Sequence, residues 1–274
     1  MITRIQAVFL YSITFLLLCP LGIKAEEDSL FIDGWTSFPP GSWRTWTETN
    51  TRRGETKTYL TRAYFQGIED GKIITHRQSM RDGEWKTSST TKQNPPENWL
   101  KDWTIVGKPI EEMITLDAKE YVCLKTTYQL SNPREANAKS TLIIWSVDNI
   151  KLPYREPIGI TGAPNLSSLP TNAVRVKSKL SRSNKDSIYL VETDRKITSL
   201  KVEIEIESKK HLCVKEEWII RRETHGRLSK GEGYFLFSHE IPGHMAGIHL
   251  EYTEGEEVKF LGGKPNSFGL GTSQ

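Results

Sequence analysis

Leu200 to Ile220 reads LKVEIEIESKKHLCVKEEWII, and its first nine residues decide the fold class. Leu200, Val202, Ile204 and Ile206 alternate with Lys201, Glu203, Glu205 and Glu207. A period of two marks a strand with one buried face and one charged, wet face. The same character continues outward. KIITHRQSM (72–80) lies between Asp70-Gly71 and Asp82-Gly83, dipeptides that favour the tight turns of β-hairpins. Only PPENWLKDW (95–103) has a helical look: Pro95-Pro96 opens a turn, and Trp99 and Trp103 stand four apart on one side. The expectation is an all-β chain, an antiparallel meander with one short helix.

The deciding stretch has a counterpart upstream. ITLDAKEYVCLKTTYQL (114–130) lies over IEIESKKHLCVKEEWII (204–220) without a gap. Leu116 falls on Ile206, Cys123 on Cys213, Lys125 on Lys215 and Tyr128 on Trp218. Farther on, Trp145 falls on Phe235 and Pro153 comes close to Pro242. The chain therefore reads as two related antiparallel units, forming curled sheets or a half-open barrel, with the first enlarged by extra strands and the helix. Residues 26–162 are expected to form the first unit and 163–258 the second. TGAPNLSSLP (161–170) has linker composition, and the Gly-rich end, 259–274, reads as a flexible tail.

The order PGSW (40–43), VGKP (106–109), a cysteine strand, a tryptophan strand and a Pro-Gly break resembles uncharacterised exported bacterial β proteins. More distantly, it resembles the half-open β barrels of periplasmic lipoprotein carriers. The resemblance implies a curled sheet around a concavity and carries over no catalytic residue.

The beginning of the chain supports export. Arg4 precedes an apolar run from Ala7 to Cys19 that stops at Pro20, too short to span a bilayer comfortably. Ile23-Lys24-Ala25 is an acceptable cleavage site, so residues 1–25 are expected to be a signal peptide and the product secreted or periplasmic. Acylation of Cys19 is the alternative, although Leu18 stands where that processing wants a small residue. The signal holds Arg4 and Lys24, so its removal brings the 37 bases close to balance with 34 acids. That balance disfavours nucleic acid as a partner, and the mature part carries no run of transmembrane length.

Among chemistry-bearing residues, FSHEIPGHMAGIHLEYTE (237–254) spaces His239, His244 and His249 by five. A zinc-protease helix needs a step of four, and Pro242-Gly243 would break such a helix. The segment reads instead as a hairpin turning at Ile241–His244, pairing Phe237 with Ile248 and Leu236 with His249. His239 and His244 then share a face, a weak two-ligand metal candidate, while His249 points the other way beside Glu251. Cys123 and Cys213, each between apolar neighbours, read as buried thiols, with a bridge between the units as the alternative. Trp99 and Trp103 are the candidates for a carbohydrate-stacking pair.

TLIIW (141–145) and YFLF (234–237) do not alternate. Both faces of such strands must be covered, or one must line an apolar cavity. Ile144, Phe235 and Phe237 are the candidate lining residues. The function expected from these features is binding of an apolar or lipid-like ligand or an envelope partner, with no cofactor and no catalytic residue. A carbohydrate-binding module and a metal-dependent hydrolase are the alternatives.

Overall fold

The computed structural model describes residues 34–94, 103–130, 138–155, 169–184, 187–255 and 257–271. Among the described residues, a 3-10 turn at Trp35–Ser37 precedes β1 (Trp43–Arg52), β2 (Glu55–Glu69), β3 (Lys72–Arg81) and β4 (Glu84–Gln93). Next come β5 (Trp103–Ile105), β6 (Ile110–Leu116), β7 (Lys119–Leu130) and β8 (Ala138–Ser146). The chain continues through β9 (Ala173–Asn184), β10 (Ser187–Ile206) and β11 (Lys209–Thr224). It closes with β12 (Arg227–Phe237), β13 (Met245–Glu254) and β14 (Glu257–Gly269).

All fourteen strands belong to one antiparallel sheet, in the order β4-β3-β2-β1-β14-β13-β12-β11-β10-β9-β8-β7-β5, with β6 also on β7. The all-β expectation is met. The two expected hairpin turns at Asp70-Gly71 and Asp82-Gly83 are present, each with both residues at positive φ. Turns with this twist match the twist of the strands they join. The tips of the β6–β7 and β10–β11 hairpins also share a geometry. Asp117-Ala118 and Glu207-Ser208 are left-handed pairs ninety residues apart in the alignment of the two stretches.

The sheet is an open meander whose break lies inside the chain. β1 pairs with β14 from Trp43 to Thr51, which splices the two ends of the described chain into the middle of the sheet. The free edges are β4 on one side and β5 with β6 on the other. The strands expected as one first unit are therefore split, with β1–β4 and β5–β8 flanking β9–β14. β8 pairs with β9 from Ala138 to Ser146, so the ladder runs through the expected boundary near residue 162.

Two expectations about local structure change. The Gly-rich end is strand β14, held between β1 and β13. Its glycines are places where rings lie flat on the backbone. A Cβ at Gly263 would come within 2.4 Å of the Trp46 indole, and one at Gly269 within 2.6 Å of Trp43. Residues 95–102, most of the expected helix, lie outside the described residues, as do residues 1–25. Trp103 opens a strand instead, opposite Leu130 of β7, and is buried.

The sheet curls. His211 on β11 and Phe268 on β14 are three places apart in the strand order, about 14 Å if the sheet were flat. Their ring centroids are 5.2 Å apart. Several apolar clusters form the core, and two of them flank a charged group. The first gathers Trp46, Trp218, Phe235, Phe237, Met245, Ile248 and Leu250, with further residues of β10–β14. The second gathers Trp103, Leu130, Leu142, Ile144, Leu169, Ala173 and Val176.

Deleting residues 257–274 should abolish the cooperative unfolding transition, because β1 and β13 lose their shared partner. Thermal unfolding followed by circular dichroism checks this. A transition that survives the deletion within a few degrees would mean that β14 is dispensable.

Candidate functional site

Where the two apolar clusters meet, the inner face carries charge. Glu216 follows the inward phase of β11, two residues before Trp218 and four before Ile220, and Arg195 follows that of β10. Arg155, from the segment after β8, reaches the same point. Its Nη1 donates to Glu216 Oε1 at 2.6 Å, and Arg195 Nε donates to Glu216 Oε2 at 3.0 Å. All three side chains are at most 1% exposed. Burial alone would raise the Glu216 pKa, but the Arg195 and Arg155 guanidiniums outweigh it and hold the carboxyl below its ordinary range.

The triad touches both clusters. Arg195 lies over the Phe235 ring at 5.9 Å, and Arg155 Nη2 donates to the Ala173 carbonyl. It sits between the residues expected to line one cavity. Phe235 and Phe237 stack at 5.9 Å in the first cluster, whereas Ile144 packs in the second. All three side chains are buried, and they belong to different apolar clusters.

The opposite, outer face offers a groove instead. It has a volume of about 440 Å³ and crosses β8, β9, β10 and β11. Its lining includes Thr141, Ile143, Lys177, Lys179, Glu192, Asp194, Ile219 and Arg221. Strand register puts these residues in two lateral rows. One row runs Thr141, Lys179, Glu192, Arg221, and the other Ile143, Lys177, Asp194, Ile219. Arg175 grips Asp194 with two hydrogen bonds of 3.0 and 2.7 Å, and Lys177 reaches the same carboxylate at 3.2 Å. Lys179 binds Glu192 at 2.8 Å. The result is a polar channel with an isoleucine at each end of one row.

The histidine stretch forms a corner rather than a tight hairpin. Phe237 pairs with Met245 and Phe235 with Ile248, so the connection covers residues 238–244, longer than the expected turn. A bulge after Leu236 shifts the register, and Ser238 N–H bonds the His244 carbonyl at 2.7 Å to close the loop. The loop is built around Arg44, whose Nη1 donates to the Pro242 and Met245 carbonyls at 3.0 Å each. Its guanidinium also faces both Trp35 and Trp46 at 5.5 Å.

His239 and His244 do come together, edge to face, with ring centroids 5.5 Å apart. His244 is buried, and its Nδ1 accepts the Tyr154 backbone N–H at 2.9 Å. That bond occupies the nitrogen a metal would need. Among the described residues, no group of three or more His, Cys, Asp or Glu side chains is placed to hold a metal ion. His249 points away, as expected, with Glu251 at 3.7 Å, and stacks on Tyr234.

Cys123 and Cys213 are both free and buried, which removes the bridge between the units. Burial, with help from Glu240, pushes the Cys213 thiol up to about 12, and burial also raises Cys123. Trp99 lies outside the described residues, and the buried Trp103 presents no stacking face.

Sequence reasoning missed Arg44, Arg155, Arg195 and Glu216. The signal was present in the period of two. Glu216 shares a face with Trp218 and Ile220, and Arg195 with Val191 and Ile197. A charge in the apolar phase of a strand announces a buried partner.

No protein-family model matches the chain, and no curated protein matches it. Solved structures do. One is described as an exported protein with a YmcC-like fold from Bacteroides fragilis; it is 9% identical, with a TM-score of 0.32, and the match covers 85% of this chain and 98% of that one. A second is described as a lipoprotein from Parabacteroides distasonis, 11% identical, TM-score 0.33, with the same coverages of 85% and 98%. A third is described as the hypothetical lipoprotein YmcC of Escherichia coli, 9% identical, TM-score 0.27, covering 84% of this chain and 89% of that one. Among the described residues, no helix is long and apolar enough to cross a membrane.

The His244 corner should make stability depend on pH. Burial, then His239 and Arg44, lower the His244 pKa from 6.5 to about 4. Between those values the unfolded chain binds the proton and the folded chain does not. Stability is therefore full above about pH 6.5 and falls as the pH drops towards 4, by about 3 kcal/mol in all. Urea unfolding across this range checks it: His244→Asn should remove most of that slope, and an unchanged slope would contradict the assignment.

Proposed function

We propose that the chain is an exported, non-enzymatic binding protein that holds an anionic amphiphile on the outer face of its sheet, in the groove across β8 to β11. The lining of that groove carries the reading. Ile143 and Ile219 provide apolar contact beside Lys177, Lys179 and Arg221. Asp194 is shared by Arg175 and Lys177, and Glu192 is taken by Lys179. Arg221 stands opposite Glu192 in the ladder but has no ion pair among the described residues. It is the cation left to meet a ligand carboxylate or phosphate, groups that guanidinium recognises with two parallel hydrogen bonds. The volume suits a small molecule, since such sites run from about 300 to 1,000 Å³.

Other features support the remaining parts of the reading. Residues 1–25 have the arrangement of an export signal. The two described cysteines are buried thiols with raised pKa values, the opposite of what a nucleophile needs. The packed inner clusters also favour the outer groove over the interior as the place of binding.

Native mass spectrometry of the protein taken from its own envelope tests the proposal. The expected spectrum carries one bound anionic amphiphile per chain, and a titration with oleate as probe should saturate at the same stoichiometry. Arg221→Glu should weaken oleate binding at least about tenfold, equivalent to about 1.4 kcal/mol. A protein that flies empty and takes up no oleate overturns the reading.

A further inference from the structure

We propose that β6 is a pairing edge for a second copy of this chain. β6 pairs with β7 alone, so among the described residues no strand hydrogen-bonds to its other side, although β10 packs nearby. The two free edges of the sheet differ in how they are defended. β4 carries Lys86 and Lys92 among short polar residues, the usual protection against edge-to-edge association. β6 reads Ile-Glu-Glu-Met-Ile-Thr-Leu and has neither lysine nor proline. Its face is also apolar where it meets water. Met113 and Val122, which face each other across β6 and β7, are 59% and 58% exposed, and Leu124 beside them is 42% exposed.

The sequence of β6 commits the occupant to its own copy. In an antiparallel two-fold pairing centred on Met113, Ile110 would face Leu116, Glu111 would face Thr115 and Glu112 would face Ile114. No carboxylate opposes another. Val122 and Met113 of one copy would continue into Met113 and Val122 of the other, giving one unbroken apolar row across four strands. The nearer carboxylate is already engaged inside its own chain: Glu112 accepts from Lys125 Nζ at 2.8 Å and from Trp145 Nε1 at 2.7 Å. Such a contact is isologous and closes on itself, so it forms a dimer and not a filament.

Sedimentation velocity of the exported chain across the micromolar range provides the test. The expected result is a reversible monomer–dimer equilibrium. Met113→Lys would put two lysines opposite each other and should raise the dissociation constant at least about tenfold without changing the melting temperature. Leu228→Lys, at another exposed apolar position, should leave the constant unchanged. Met113→Cys, treated with a copper–phenanthroline oxidant, should form a cross-linked homodimer through that one residue. A chain that is monomeric throughout overturns the proposal, and so does a dimer indifferent to Met113→Lys.

Discussion

The carboxylate of Glu216, held between Arg155 and Arg195, constrains everything around it. Three ionised side chains removed from water are tolerated only with near-complete mutual satisfaction. Here the satisfaction comes from separate parts of the chain: β10, β11 and the segment after β8, with the Pro170 and Ala173 carbonyls receiving the outer guanidinium. The triad therefore fixes how the segments after β8 and before β9 sit on the inner face. It also lies between apolar clusters of the core, with the Phe235 ring under Arg195 and the Ala173 carbonyl on Arg155. On the outer face the same strands present their alternate residues.

Strand alternation links the inner and outer faces directly. Thr193, Arg195 and Ile197 point inward on β10, and Glu192 and Asp194 line the groove. Trp218 and Ile220 point inward on β11, and Ile219 and Arg221 line the groove. The buried packing thus sets the spacing of the outer rows. Because β1 is spliced to β14, the groove strands lie well inside the strand order of the sheet.

The sequence was legible where its period was local. Leu200–Glu207 showed a half-buried strand, and the Asp-Gly pairs marked their turns, because both signals depend on neighbours a few residues away. Other features depend on residues far apart. Nothing in Trp43–Arg52 announces that it pairs with a segment some two hundred residues later. The glycines of β14 looked like a flexible end because composition does not distinguish a loose chain from a backbone pressed under Trp43 and Trp46. The turn at Ile241–His244 is where it is expected, closed by the His244 N–H on the Ile241 carbonyl. The pairing of its flanks differs because of the bulge after Leu236 and a loop built around Arg44, a single inward charge. For the site, the apolar runs correctly marked covered strands, but Ile144 and Phe235 pack into different clusters on either side of the triad. The groove went unread because its residues come from four strands and look, one strand at a time, like an ordinary solvated face.

The most direct measurement is the stability of Glu216→Gln, an exchange that keeps shape and removes charge. If the interior is filled as described, two guanidiniums are left buried without their carboxylate, and urea unfolding should show a loss of about 3–5 kcal/mol. A loss under about 1 kcal/mol would mean that water or ligand reaches those groups, and would contradict the packed interior on which the account rests.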